Sequence, residues 1–349
     1  MPTTYAIPDG RTVMAATLYT GTGATQTISN SANGVSFQPD LVWVKGRSGA
    51  TDHAWYDAVR GVQKQLESNT TTAETTETTG LTAFGTTGFT IGALAQMNTN
   101  AATYVAWQWN AGGSTVTNTS GSISAQVRAN ATAGFSVVTW TGTTASSATI
   151  GHGLGVTPSM IIVKNRSRAS TFWCVYTPTT GNTKALNLND TSTGITDIGF
   201  WNNTNPTSTV FTTGNGYAYY VGGIADNYVA YCFAAVAGYS AFGSYTGNAS
   251  TDGTFVYLGF EPRWVMIKRT DTTGDWQMYD TSRAPINVAS NTLYANGAFA
   301  EDSNTTNRAL DLLSNGFKLR SSASFLNASG GTYVYACFAE NPFKLSLAR

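Results

Sequence analysis

The hydrophobic positions of the chain form three continuous apolar runs, each bounded by a proline and a lysine. The runs are FQPDLVWVKGR at 37–47, VTPSMIIVKNR at 156–166 and FEPRWVMIKRT at 260–270, and the proline precedes the lysine by six residues in each. Four or five consecutive bulky residues are too few for a helix and too continuous for a strand with one solvated face. Each run therefore predicts a strand buried on both faces. Proline is tolerated where such a strand begins, and the lysine is expected to reach water where it ends.

Further landmarks recur around these runs in the same order, which predicts a threefold internal repeat with units of domain size. A strand ending in an aromatic residue and Thr-Gly comes before each run. After it come a strand with aromatic residues, a short alternating piece, a hairpin turn of the Asn-Gly type and a closing strand. These landmarks lie at 19–21, 140–142 and 245–247; at 55–56, 173–176 and 276–279; at 64–69, 184–189 and 291–296; at 86–89, 214–217 and 314–317; and at 103–110, 227–234 and 332–339.

This pattern predicts an all-β fold of three tandem antiparallel β-sandwich modules, jelly-roll-like, with almost no helix. An alternating segment, SISAQVR at 122–128, predicts an additional strand ahead of the second module. The predicted division is an N-terminal arm at 1–15, a first module at 16–111, a linker strand plus second module at 112–236, a third module at 237–340 and a C-terminal tail at 341–349.

The charge content argues against two classes of partner. Charged residues make up 11% of the 349 residues, against about 25% in ordinary soluble proteins, and the formal net charge is zero. Without a cluster of lysine and arginine, neither nucleic acid nor an anionic membrane surface is an expected partner. We also expect no signal peptide and no membrane insertion, so release inside a virus particle by lysis is one way for the protein to leave the cell.

The cysteines and histidines do not form a recognisable site. Cys174, Cys232 and Cys337 lie in apolar strands, where a small buried hydrophobic residue is the expected role. His53 and His152 are not near any cysteine and are expected to be hydrogen-bonded turn residues.

The carboxylates also suggest no reaction. Asp57 and Asp280 occupy matching positions in two copies, where the second copy has Thr177. A pair of glycosidase carboxylates must share one site, so these two are expected to be solvated strand ends. The amide and carboxylate run at 187–190 lacks the spacing of a calcium loop. No catalytic, cofactor-binding or metal-binding residue is predicted.

Most aromatic residues recur between the copies, which favours a role in the core. A smaller group repeats less clearly and provides candidate surface contacts for a receptor or glycan: Trp201, Tyr217, Tyr219, Tyr220 and Tyr239.

Longer motifs in the second and third copies indicate a family. Motifs of both copies resemble the repeated module of tailed-bacteriophage virion proteins that are abundant in marine phages. In the second copy they are AGFSVVTWTG at 133–142 and ATIGHGLGVTPSMIIVKNR at 148–166; in the third they are FGSYTGNASTDGTFVYLGFEPRWVMIKRTDTTGDWQMYD at 242–280, NGFKLR at 315–320 and GGTYVYACFAENPFK at 330–344. The first copy lacks the GHGLGV motif. The resemblance implies a virion structural component, often labelled tail fibre or minor structural protein, and commonly a homotrimer.

Three functions remain open at this point. The first is a non-enzymatic tail fibre or adhesin that contacts the host surface or its glycans. The second is a capsid decoration or cement protein that contacts virion neighbours. The third is a polysaccharide depolymerase, for which a parallel β-helix with a short repeat would be expected. The first is preferred, with synthesis in the host cytoplasm and assembly into the virion.

Overall fold

A computed structural model describes residues 4–143, 147–214 and 220–342 of the chain. These residues form β-strands joined by turns, together with a 3-10 turn at Gly10–Thr12 and two four-residue α-helices. The predicted all-β fold class is confirmed. None of the helices in the described ranges has the length and hydropathy needed to cross a membrane.

The first module contains a four-stranded main sheet in the order β1-β9-β3-β4, a three-stranded sheet in the order β2-β8-β7, and the short pair β5-β6. Its elements are β1 Met14–Thr20, β2 Gln26–Ser29, β3 Leu41–Gly46, β4 Ala54–Asp57, β5 Lys64–Gln65, β6 Thr75–Thr76, β7 Leu81–Gly85, β8 Gly88–Ile91, α1 Ala95–Asn98 and β9 Thr103–Trp109.

The second module repeats this plan and adds two strands to one edge of its main sheet. The order is β10-β11-β12-β19-β14-β15-β16-β17, and β13 pairs with β18 in a second small sheet. Its elements are β10 Val116–Asn118, β11 Ala125–Asn130, β12 Phe135–Thr141, β13 Ser147–Gly151, β14 Met160–Asn165, β15 Trp173–Tyr176, β16 Lys184–Asn187, β17 Ile195–Thr196, β18 Val210–Gly214 and β19 Asn227–Phe233. The extra strand predicted at 122–128 corresponds to β11.

The third module has the main sheet β20-β27-β22-β23-β24 and the small sheet β21-β26-β25. Its elements are β20 Ser240–Thr246, β21 Phe255–Tyr257, β22 Phe260–Arg269, β23 Trp276–Asp280, β24 Leu293–Tyr294, β25 Leu310–Leu313, β26 Gly316–Leu319, α2 Ser324–Asn327 and β27 Thr332–Pro342. Here Pro262 lies inside the long strand β22, and shifts in its pairing with β27 accommodate the missing backbone N–H.

The proline–lysine runs are the strands β3, β14 and β22, and each lies in the interior of its main sheet. Successive side chains of a strand point to opposite faces. In β3, Val42 and Val44 pack into the first module's own sandwich core, whereas Trp43 belongs to a second core shared by all three modules. Both faces of the main sheet are therefore buried, as the continuous apolar runs predict.

The three main sheets pack together around a central axis. Trp109, Phe233 and Phe338 occupy equivalent positions in the closing strands β9, β19 and β27. Their rings meet edge to face, with centroid distances of 6.2 Å, 5.6 Å and 5.7 Å around the triangle. The chain thus forms an internal pseudo-threefold body rather than a row of separate modules.

The N-terminal arm belongs to this body. Ile7 is buried in the shared core, and a side chain at Gly10 would collide with the carbonyl oxygen of Ala339 in strand β27. Strand β1 begins at Met14, inside the range predicted to be arm. The segment 343–349 of the predicted tail lies outside the described residues, as does most of the predicted turn at 214–217.

Candidate functional site

The three junctions between modules contain buried lysines, and two of them contain buried networks of carboxylates and arginines. We call the contact of modules 1 and 2 the first junction, that of modules 2 and 3 the second, and that of modules 3 and 1 the third. At each junction, the end of a proline–lysine strand in one module meets the segment that follows the short alternating piece of its neighbour.

The lysines of the three runs are buried at these junctions, which corrects the prediction that they reach water. Each is fully buried, because the neighbouring module covers the end of the strand. Lys164 Nζ donates to the carbonyl oxygen of Thr71 at the first junction, Lys268 to Thr191 at the second, and Lys45 to Ala298 at the third. The acceptors belong to modules 1, 2 and 3, so the contacts run once around the ring.

Burial lowers the pKa of each lysine. The pKa falls to about 7 for Lys164 and to about 8 for Lys45 and Lys268, because removal from water disfavours the charged form. Carbonyl and hydroxyl oxygens accept from each amine, and Lys164 also donates to Thr171 O and Thr171 Oγ1 at 2.6 Å and 2.9 Å. These acceptors take the place of hydration water around the amine.

Beside each buried lysine, an aromatic ring nitrogen forms a hydrogen bond across the same junction. Trp173 Nε1 donates to Glu67 O at the first junction and Trp276 Nε1 to Asn187 O at the second, both at 2.8 Å. At the third junction, the matching position is His53.

His53 Nε2 lies 2.8 Å from Tyr294 O, and His53 Nδ1 accepts from Trp43 Nε1. His53 is buried between modules rather than in a surface turn, and burial lowers its pKa to about 3. His152 does lie in a turn, where Nδ1 accepts from the Leu154 N–H.

A buried ion network reinforces the first junction. Asp57 accepts from Arg60 Nε and from Tyr231 Oη of the second module, the latter at 2.7 Å. Arg60 also pairs with Glu74, and Glu74 forms a bidentate pair with Arg166 of the second module. Burial would raise the pKa of Glu74, but the hydrogen bond from Arg166 and the charges of both arginines lower it.

The third junction has the same network with equivalent residues. Asp280 pairs with Arg283 and accepts from Trp107 Nε1 of the first module at 2.9 Å. Glu301 pairs with Arg283 and, bidentately, with Arg47 of the first module. Asp57 and Asp280 are thus buried junction residues, not the solvated strand ends that the sequence suggested, because the neighbouring module covers the ends of β4 and β23.

The second junction lacks this network. The matching positions hold Thr177 for the aspartate, Thr180 for its arginine, Gly194 for the glutamate, Thr270 for the arginine across the junction, and Ala336 for the donor on the closing strand. Thr177 Oγ1 and Thr180 Oγ1 lie 3.0 Å apart and bond to each other. All five positions therefore differ from their counterparts, and the carboxylates and guanidinium groups of the network are absent from these positions.

An open groove of about 600 Å³ lies at the second junction, lined by residues of modules 2 and 3. We call it the hydroxyl groove. Lys184 and Tyr245 contribute to its walls, and Lys184 forms no ion pair with any described residue. The remaining lining side chains all carry a hydroxyl: Thr179, Thr180, Ser244, Thr246, Thr270 and Thr332. The groove is therefore polar and carries one positive charge.

The candidate surface aromatics do not lie in this groove. Trp201 and Tyr239 are 1% exposed, so their prediction as surface contacts is wrong. The Trp201 indole donates to Lys184 O beneath the groove wall, and Tyr239 packs against Phe338 near the axis. Tyr220 is half-buried and stacks on Phe200. Tyr217 and Tyr219 lie outside the described residues.

The cysteines are buried, as predicted. Burial raises the pKa of the Cys174 and Cys232 thiols well above their ordinary value and likewise that of Cys337. Within the described ranges, histidine, cysteine and carboxylate side chains form no group of three suited to a metal ion. In the run at 187–190, Asn187 Nδ2 donates to Asp190 Oδ2, so this segment is bonded to itself.

Comparison with known proteins identifies a family whose description states no function. No curated protein matches the chain. A family model described as "Domain of unknown function (DUF7483)" matches residues 9–342. The match begins within the N-terminal arm and extends to the end of β27, so it spans all three modules and the junctions between them. The chain therefore belongs to the DUF7483 family.

Proposed function

We propose that the protein is a non-enzymatic structural component of a bacteriophage particle, located in a tail appendage as a fibre or adhesin that contacts the host surface. The observation that carries this proposal is the pseudo-threefold body, in which three equivalent β-sandwich modules share one core. A body with three similar faces around an axis is suited to a symmetric position on a larger assembly. The resemblance of the second and third modules to virion proteins supports the same assignment.

The surface composition also supports a role outside the cell. Charged residues are 11% of the chain, and the water-facing side chains are largely hydroxyls and amides. Such a surface binds polyanions weakly and can form many neutral hydrogen bonds. Host-surface polysaccharides offer a matching set of hydroxyl donors and acceptors.

A capsid decoration or cement protein is the second candidate, favoured by exposed apolar side chains of the third module. Ile286 and Phe299 are 77% and 65% exposed, and a contact with a virion neighbour would remove both from water. In this case, the neighbour would be the shell rather than the tail.

The test is direct. Mass spectrometry of gradient-purified particles should detect the chain, and a cryo-EM map should place its three-module density on the tail with one side free in solvent. Density packed on the shell would select the decoration role. Absence of the chain from purified particles that carry all other structural proteins would refute both.

The homotrimer expected from the family resemblance stays a prediction, and a single chain, which already has three equivalent modules, is the alternative state. Mass photometry separates the two states, since the monomer has a mass of 36.9 kDa.

A further inference from the structure

We propose that the hydroxyl groove at the second junction binds a short acidic saccharide, with its carboxylate at Lys184 and its ring hydroxyls on the threonine and serine walls. This inference deepens the proposed function, because it names the class of host-surface ligand and the face of the body that contacts it. It depends on that function only for its biological context, since binding can be measured on the isolated chain.

The first argument is the comparison among the three junctions. At the first and third junctions, two arginines of the ion network occupy the positions that Thr180 and Thr270 hold in the lining of the groove at the second. The short threonine side chains border a space of about 600 Å³. Small-molecule sites in proteins have volumes of about 300–1,000 Å³. The space thus lies where one of the three junctions has short side chains in place of arginines.

The second argument is the charge that remains. Lys64 of the first module is the counterpart of Lys184; its amine donates to Thr76 Oγ1, and its junction holds two carboxylates, Asp57 and Glu74, that pair with Arg60. At the second junction, both carboxylates are absent, whereas Lys184 is retained and forms no ion pair with the described residues. A single unpaired cation in a half-enclosed groove favours a ligand with one negative group at that point and disfavours a cation.

The third argument is the arrangement of hydroxyls. Thr179 and Thr180 lie on the wall from module 2, and Ser244, Thr246 and Thr332 lie on the wall from module 3. Thr180 Oγ1 bonds to Thr177, and Thr270 Oγ1 bonds to Thr332 Oγ1 at 2.9 Å. A hydroxyl oxygen that is bonded in this way keeps a lone pair that can accept from a sugar hydroxyl. A bare sulfate or phosphate ion would use Lys184 but leave most of this surface unused. The two walls together therefore favour a polyhydroxylated acid.

The test uses the purified full chain and isothermal titration calorimetry with 3′-sialyllactose as the saccharide that carries one carboxylate, lactose as the neutral one, and sodium sulfate as the simple anion. We expect 3′-sialyllactose to bind more tightly than the other two. Lys184→Gln should weaken 3′-sialyllactose binding by about ten-fold or more, because it removes the charged hydrogen-bond donor. Thr180→Trp should abolish binding, because it fills the groove with a bulky uncharged side chain.

Lys64→Gln is the matched control, since it changes the equivalent lysine of the first module and should leave binding unchanged. Equal affinity for 3′-sialyllactose in the wild type, Lys184→Gln and Thr180→Trp would overturn the assignment, as would no binding at all. Sulfate binding as tight as that of 3′-sialyllactose would overturn the saccharide class. None of these results bears on whether the chain is found in virus particles, so failure here is distinct from failure of the proposed function.

Discussion

We expect the buried ion network at the first junction to contribute strongly to the free energy of unfolding. The second junction provides the comparison, because it has the same fold without the network. Asp57 accepts hydrogen bonds from the Arg60 side chain, the Arg60 backbone N–H and Tyr231 Oη, and it is fully buried. Asp57→Thr would leave the guanidinium of Arg60 buried with only Glu74 as a charged partner. Removing one partner of a buried ion pair costs about 3–5 kcal/mol.

The size of the expected change in melting temperature follows from the chain length. An unfolding entropy of about 2.1 cal/mol/K per residue, applied to 349 residues, converts this loss into a fall in Tm of about 4–7 °C. Asp57→Thr combined with Arg60→Thr reproduces the Thr177/Thr180 pair of the second module. This double variant should be more stable than Asp57→Thr alone, because no unpaired charge remains in the interior.

Urea unfolding followed by tryptophan fluorescence, together with thermal unfolding followed by circular dichroism, measures both quantities. Thr177→Val is the control: it removes a hydroxyl from the equivalent position of the second module and should cost about 1 kcal/mol or less. The reasoning would be refuted if Asp57→Thr cost no more than Thr177→Val. It would equally fail if the double variant were less stable than the single one.

Three further predictions concern the junctions and the close contacts between strands. Because burial lowers the pKa of Lys164 from 10.5 to about 7, the unfolded chain binds more protons between these values, so stability should rise with pH there. Lys164→Met should reduce that slope by up to about 1.4 kcal/mol per pH unit in urea unfolding at pH 7.5 and 9.5, and an unchanged slope would contradict the burial argument. Trp276→Phe leaves Asn187 O without its donor and should cost about 1–3 kcal/mol in the same assay, more than Trp55→Phe, whose indole N–H has no acceptor among the described residues. Gly142→Ala would push a methyl group into the carbonyl oxygen of Gly223 and should lower stability by about 1–3 kcal/mol, whereas Gly49→Ala, which faces open space, should change it little; equal effects would disprove the proposed clash.

The strands of this fold could be predicted because their patterns are local. Alternation, apolar runs and turn residues are set by the geometry of a strand, and they placed β3, β14 and β22 inside their sheets. The repeat also predicted which aromatic residues form the core. The two exposed-aromatic predictions that failed, Trp201 and Tyr239, were based on absence of repetition, but a residue specific to one module can be buried in that module.

The junctions could not be predicted, because they depend on how the modules pack together. Whether Lys164 at a strand end meets water or a carbonyl oxygen is decided by a neighbour far away in sequence. One clue was present: Asp57 and Asp280 match across copies, whereas the second copy has Thr177. The sequence does not show which arginines pair with these aspartates. The threonine therefore indicated only a difference between solvated strand ends, not the absence of a whole network.

The closed ring of three modules has a consequence for how such a protein can change over time. In a homotrimer of one-module chains, each substitution would be present at all three interfaces at once. Here each interface is encoded by its own stretch of the chain. A difference such as Gly194, where the other two modules have a glutamate, therefore affects one interface and leaves the other two intact. Two interfaces can thus preserve the stability of the body while the third is free to acquire a separate use.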